Sequence, residues 1–292
     1  VTVCTPPPVH AGPAIAAANA GKHVFCEGPM AVDLGQCDAM IAAARSKQIR
    51  ITVQHTNRFN RNARMAKKAL SEGLLGKVLM AKMDFFAPGA GDAYSGLATH
   101  NWRATWKGSG GGVIFHGARY AVDTLMWLLG DAREVYGKME SFSEGIEVED
   151  CAVATVHFCS GALGQIFVSG LAQPDMLPSP FYRIDILGAK AAITVLPDWS
   201  VHSYDDAYAR DVNERLSSQE SGSNGGWVSQ LRDWVDAIKE KREPFFPVES
   251  FRGQVEMTRA LYQSITLGEP VSLPLNPADP YYTVADGIHP HF

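Results

Sequence analysis

The sequence predicts an α/β protein in two parts: a parallel sheet flanked by helices, then an α+β unit whose large open sheet is mixed or antiparallel. Three observations lead there. The first 57 residues alternate short β-branched runs with helix-length segments, the pattern of parallel β-α-β units. Residues from about 132 to 196 carry five strand-like runs with no helix between them, the mark of an antiparallel or mixed sheet. A length of 292 residues, 46% hydrophobic and 20% charged, is enough for two domains with substantial cores.

The opening run "VTVCT" (1–5) is stopped by Pro6, Pro7 and Pro8, after which "HAGPAIAAANAG" (10–21) holds Ala and Ile at helical density up to Gly21. "HVFCE" (23–27) is the second strand, "LGQCDAMIAAARSKQ" (34–48) a second helix with Asp33 as its N-cap, and "IRITVQH" (49–55) a third strand. The texture changes after residue 57. A helix over 61–73 leads into a strand near Lys77 to Phe86, and a loop of over twenty residues then runs to the triplet Gly110, Gly111 and Gly112. Loops this long are usually functional or mobile. "VIFHGARYAVDTLMWLLG" (113–130) is amphipathic, ends in glycine and reads as one helix. Strands follow over 132–140, 150–158, 162–170, 182–188 and 191–196, then helices near 226–241 and 250–268 and a proline-rich tail.

Composition narrows the function. A net charge of -5 without any Lys/Arg block argues against nucleic acid or an anionic membrane as the main partner and leaves small molecules. No apolar run approaches the ~18 residues of a membrane span. The five cysteines are odd in number and lack C-x-x-C spacing, so they read as reduced thiols in a cytoplasmic protein. The sequence shows no secretory leader pattern. It also has no H-E-x-x-H or other tight ligand cluster, so no metal is expected, and no G-x-S-x-G nucleophile elbow.

Several side chains are candidates for chemistry, each with a plainer alternative. His116, Tyr120 and Asp123 fall at i, i+4 and i+7 and so share one face of the helix over 113–130, either converging on a pocket or forming a polar stripe against neighbouring loops. Glu27 ends a parallel strand on the side of the sheet where ligands collect, or caps the helix after Pro29. Trp102 and Arg103 offer an apolar ring face and a guanidinium fork to a polyhydroxylated ligand, or pack the long loop down. His55 and Arg58 end the third strand region, either in a pocket or at an interdomain hinge.

With these pieces in order, the sequence resembles the Gfo/Idh/MocA oxidoreductases. The resemblance rests on "CTPPPVH" (4–10), "GKHVFCEGPMA" (21–31), "HTNRFN" (55–60), "GLLGKV" (73–78), "NWR" (101–103), "GGGVIFHGARYAVDTLMWLLG" (110–130), "DILGAKAAITV" (185–195) and "LGEPVS" followed by "LPL". It implies part of a Rossmann domain over 1–57, a substrate-binding and oligomerisation α+β domain over 58–292, NAD or NADP as cofactor, and a homodimer or homotetramer formed through the open sheet. It also implies hydride transfer to or from a carbinol carbon of a sugar, inositol or related polyol. By resemblance Thr5, Pro6, His10, Glu27 and Gly28 lie along the cofactor, and His55, Arg58, Trp102, Arg103 and Asp123 line the substrate site.

The departures from the family pattern fall at the chemistry. Where the family has Glu-Lys-Pro, this sequence reads Glu27, Gly28 and Pro29, so an ammonium is lost, leaving room for a bulkier substrate or for His116. The family's aspartate and histidine align with His116 and Tyr120, which makes Tyr120, assisted by His116, the expected acid/base. No G-x-G-x-x-G follows a strand, and no acidic residue marks the adenosine ribose. In the family's strand order "VTVCT" would then be an open edge, so the expectation is about two β-α units ahead of residue 1, favoured by the lack of a starting methionine, or another chain covering that edge. A lyase, epimerase or hydrolase using His116 and Tyr120, and a non-catalytic partner subunit, are the alternative functions.

Overall fold

A computed structural model of the chain describes residues 1–87, 101–171, 181–196, 199–219, 226–284 and 289–290. Strands β1 (Thr2–Val3), β2 (Val24–Cys26) and β3 (Ile51–Val53) form a parallel sheet in that order, with Thr2 opposite Phe25 and Val24 opposite Ile51. Helix α1 (Ala11–Asn19) packs closely because its buried face is only Ala11, Ala14 and Ala18. Helix α2 (Leu34–Ser46) starts where the Asp33 carboxylate accepts the Gln36 N–H at 2.8 Å and buries Leu34, Cys37, Met40, Ile41 and Ala44 at helical spacing.

After α3 (Arg61–Ser71) the chain enters a second, eight-stranded sheet. Its strands are β4 (Val78–Phe86), β5 (Ala132–Glu140), β6 (Cys151–Phe158), β7 (Leu163–Ser169), β8 (Phe181–Gly188), β9 (Ala192–Leu196), β10 (Ser200–His202) and β11 (Val271–Ser272). The order is β10-β9-β8-β4-β7-β6-β5-β11, all antiparallel except β4 beside β7, so the sheet is mixed. On β6 and β7, Ala152, Ala154, Val156, Ile166 and Val168 point into the core while Val153, Leu163 and Phe167 stay exposed on the opposite face. Each large aliphatic side chain moved fully out of water contributes about 1.5–3 kcal/mol.

Helices from the second half cover the inner face and carry the site. Residues 102–116 fold as a 3-10 turn (Trp102–Ala104) and two short helices, α4 (Trp106–Ser109) and α5 (Val113–His116), before α6 (Arg119–Leu129). The single helix expected over 113–130 is therefore broken. At the break a Cβ on Gly117 would lie 3.0 Å from Phe85 Cε1, and the Ala118 N–H bonds back to the Val113 carbonyl. The expected loop before residue 102 falls partly on 88–100, outside the described residues.

Helices α7 (Asp206–Gln219), α8 (Gly226–Lys239) and α9 (Arg252–Leu267) complete the chain with β11. Local pattern does not announce α7, β10 or β11: α7 buries little beyond Val212 and Leu216, and the two strands are only three and two residues long. Helix α9 reaches β5 over Gly137, where a Cβ would come within 2.6 Å of Leu261 Cδ1. The tail returns to the first sheet: the Tyr282 carbonyl accepts the Leu34 N–H at 2.9 Å, and Arg252 bonds Asp38 at 2.7 Å. The five cysteines are all free, and no helix among the described residues is long and apolar enough to cross a membrane.

Candidate active site

The three parallel strands end side by side. Beyond β2 the chain reads Glu27, Gly28 and a cis-linked Pro29, and beyond β3 it reads Gln54 and His55. His10 joins two of these ends: its Nε2 lies 2.7 Å from the Thr5 carbonyl and its Nδ1 2.9 Å from that of Pro29, with the ring fully buried. It stands at the N-cap of α1 without a side-chain cap bond, and its ring braces the two strand ends. Thr5 is exposed and Pro6 half-buried at the first strand end. The Glu27 carboxylate, half-buried, has no hydrogen bond from the described residues.

Facing the strand ends is the first turn of α6. Asp123, 1% exposed, accepts from Arg58 Nε at 2.6 Å and Arg58 Nη2 at 2.5 Å, a two-point ion pair. Arg58 also donates to Ser250 and lies between the rings of Phe246 and Phe251. Burial pushes the Asp123 carboxyl up, but Arg58 and then His55 overcome it and hold the group at about 2. His55 Nδ1 approaches Asp123 Oδ2 at 3.4 Å, a long contact rather than a formed hydrogen bond. Burial pushes the His55 imidazole down despite that carboxylate, so His55 is neutral at neutral pH. With the carboxylate beside Nδ1, the proton belongs there and Nε2 keeps its lone pair.

Tyr120 lies edge-on to His55, with ring centroids 5.9 Å apart. Its hydroxyl donates to Gln54 Oε1 and accepts from Arg119 Nη2 at 2.5 Å. Burial raises the phenol's ionisation against the pull of Arg119 and Gln54, so Tyr120 keeps its proton at neutral pH. Four neighbouring atoms are buried without a hydrogen-bond partner: Gln54 Nε2, His55 Nδ1, His55 Nε2 and Arg119 Nε. The last two flank Gly28. Arg119 Nε and His55 Nε2 would lie 3.0 and 3.4 Å from a Cβ on Gly28, with the Gln54 carbonyl oxygen nearer still at 2.8 Å.

The expected relay from His116 to Tyr120 is not formed. His116 ends α5 on the far side of the break, and its Nε2 donates to the Ser109 carbonyl at 3.0 Å. Its ring sits edge-on to Trp102 and Phe115. Burial, with help from the Arg119 guanidinium, holds its imidazole down at about 3. His116 is thus a neutral packed ring whose backbone carbonyl, not its imidazole, faces Arg119. Trp102 packs on it, and the exposed Arg103 stacks on Trp102 at 4.3 Å, a group adjoining the Tyr120 cluster. Nor does His116 fill the space beside Gly28, which the Gln54 carbonyl, Arg119 and His55 take up.

So the structure brings Gly28, His55, Arg58, Tyr120 and Asp123 together and adds Gln54 and Arg119, which sequence reasoning missed. Arg119 precedes Tyr120 in the helix, about 100° round the wheel, so helical spacing gives it no place in the site. The signal available was the lost ammonium at residue 28, which asks where a replacement cation stands.

The sequence matches the description "Oxidoreductase family, NAD-binding Rossmann fold" over residues 1–55 and "GFO/IDH/MocA C-terminal domain" over residues 63–194. The chain belongs to the Gfo/Idh/MocA family. Among curated family members, levoglucosan dehydrogenase of Pseudarthrobacter phenanthrenivorans is 28% identical over 189 residues, 57% of this chain and 48% of that protein. The 1,5-anhydro-D-fructose reductase of Ensifer adhaerens is 35% identical over 170 residues, 56% of this chain and 48% of its own length. The chain spans about half the length of the curated relatives it matches. The WlbA dehydrogenase of Bordetella pertussis, solved with NADH and UDP-GlcNAcA, superposes with a TM-score of 0.80 at 28% identity, covering 94% of this chain and 79% of that one.

Proposed function

We propose that this member of the family is a nicotinamide-dependent oxidoreductase acting on a carbinol or carbonyl carbon of a sugar, inositol or related polyol, with residues 1–57 serving the cofactor and 58–292 the substrate and assembly. The observation that carries the proposal is the pair of orphaned buried donor and acceptor atoms, Arg119 Nε and His55 Nε2, around the bare backbone of Gly28. Buried polar atoms without partners beside parallel strand ends suit a nicotinamide edge and a reacting oxygen. The Glu27 carboxylate, without a hydrogen-bond donor among the described residues, suits a ribose hydroxyl.

A bound nicotinamide, as NAD(H) or NADP(H), supplies the hydride chemistry at its C4. The chain's own residues handle the proton. In the reducing direction the substrate carbonyl carbon takes the hydride pair, its oxygen takes the Tyr120 proton, and the phenolate regains a proton from solvent. Since Tyr120 rests protonated, the site is set for carbonyl reduction at neutral pH, and oxidation requires its deprotonation. His55 Nε2, held neutral, accepts a neighbouring substrate hydroxyl, and Asp123 with Arg58 fixes the imidazole. Trp102 and Arg103 flank the sugar.

The exposed apolar residues Val153, Leu163 and Phe167 on the open sheet support assembly of a homodimer or homotetramer through that face, and the free thiols support a cytoplasmic setting. The test is titration of the full-length protein with NADH and NADPH, following quenching of its six tryptophans, with product analysis on 1,5-anhydro-D-fructose, levoglucosan and myo-inositol as probes. Saturable quenching and a redox product support the reading. Conversion of a probe with no redox change moves the site to the lyase or epimerase class.

A further inference from the structure

The strand end at Gly28 has no side chain, yet the space beside it is occupied. A Cβ on residue 28 would lie 2.8 Å from the Gln54 carbonyl oxygen and 3.0 Å from Arg119 Nε, so the backbone of the β3 end excludes a side chain there, and a longer one would also compete with the guanidinium for one volume. Arg119 reaches the site from α6. Its Nη1 donates to the His116 carbonyl, its Nη2 to the Tyr120 hydroxyl at 2.5 Å and to Gln54 Oε1 at 3.4 Å, and its central carbon sits 4.0 Å over the Tyr120 ring. Among the described residues no carboxylate forms an ion pair with it. Nε is buried and without an acceptor, although a buried charged donor is costly to leave unpaired.

Both Nη1 and Nη2 are held by neutral acceptors, so the guanidinium is fixed in place while its charge stays uncompensated. A ligand oxygen carrying partial negative charge completes the arrangement. We infer, resting on the oxidoreductase reading above, that Arg119 is a catalytic residue whose Nε donates to the substrate oxygen on which negative charge develops, while its Nη2 holds the Tyr120 oxygen beside that atom. Gly28 is then the complement of Arg119: the cation of this site arrives from α6 and not from residue 28. The charge develops in the transition state, so the donor acts on turnover more than on binding. The charged or titratable groups that face Tyr120 are Arg119 on its own helix, Glu27 from the β2 end and His55 from the β3 end.

The test compares Arg119→Gln, Arg119→Lys, Gly28→Lys and the exchange Gly28→Lys with Arg119→Ala in the full-length protein. Three readouts are taken: NADH binding by tryptophan quenching, kcat and KM on whichever probe sugar the wild type turns over, and Tyr120 ionisation by ultraviolet absorbance of tyrosinate, with Tyr120→Phe as the reference. Arg119→Gln is expected to lower kcat about 100-fold with KM changed less than about 3-fold, as for loss of one preorganised oxyanion donor. It is also expected to raise the pH at which Tyr120 ionises by about one unit or more, the effect of removing an adjacent positive charge. Arg119→Lys recovers part of both, Gly28→Lys alone is impaired by collision with the Gln54 carbonyl and Arg119, and the exchange, which relieves only the second collision, is more active than Gly28→Lys alone. Unchanged kcat and unchanged Tyr120 ionisation in Arg119→Gln, with NADH still bound, overturn the assignment of Arg119 alone. A wild type that binds neither NADH nor NADPH and oxidises or reduces no probe overturns the oxidoreductase reading, and the Arg119 inference falls with it.

Discussion

Arg58 holds Asp123 by two parallel hydrogen bonds, 2.6 and 2.5 Å long, where both side chains are at most 4% exposed. The pair ties the turn after β3 to α6, and so fixes His55 opposite Tyr120. Removing one partner leaves the other charge buried, which typically costs about 3–5 kcal/mol. Asp123→Asn is therefore expected to lower unfolding stability by several kcal/mol in denaturant titration. Arg58→Lys gives up the two-point geometry and is expected to lose less.

The same pair sets an acid limit. The Asp123 carboxyl is depressed in the fold to about 2, so its stabilisation is complete above the ordinary carboxylate range and is lost as pH falls through that range toward about 2. Wild type is expected to lose stability steeply across this window, and Asp123→Asn to show a flatter slope. Equal slopes would show that the pair does not titrate with folding.

Glu149 works in the opposite sense. Its carboxylate accepts the Gly112 and Ile114 N–H groups at 2.9 and 3.1 Å and the Tyr262 hydroxyl at 3.1 Å, anchoring the glycine triplet before α5. Burial nevertheless raises it to about 7. An acid whose folded value is raised binds its proton more tightly in the fold, so stability falls as pH climbs from about 4.5 to about 7. Thermal unfolding is expected to shift downward across that interval, and Glu149→Gln to remove the shift.

His116 is expected to be replaceable. Its hydrogen bond to Ser109 is one neutral contact, so His116→Gln should cost about 1 kcal/mol of stability and leave kcat within about 3-fold of wild type. Turnover slowed by about two orders of magnitude or more in that variant would restore the relay that the observed geometry lacks.

The elements were legible where periodicity was strong. The strand over 132–140 lies where the alternating pattern put it, and α2 begins at the Asp33 cap. The break at Gly117 was not legible, because the side chain packed against that glycine is Phe85, a residue far away in the chain. That break is what separates His116 from Tyr120, so a spacing of four residues misled. The Asp123 and His55 partnership and the turn of Arg119 toward Gly28 are likewise long-range contacts between strand ends and α6, invisible to local pattern. What the sequence did carry was the vacancy of charge at residue 28.

The measurement that tests the central claim most directly is the pH dependence of kcat for carbonyl reduction, comparing wild type with Tyr120→Phe. If Tyr120 delivers the proton, wild-type kcat is level from about pH 6 to 9, the reverse oxidation climbs with pH as the phenol ionises, and Tyr120→Phe lowers kcat about 100- to 10,000-fold while NADH affinity holds. A Tyr120→Phe enzyme with kcat within about 2-fold of wild type, or an oxidation rate governed by a group below the ordinary histidine value of about 6.5, would contradict it and move the proton to His55.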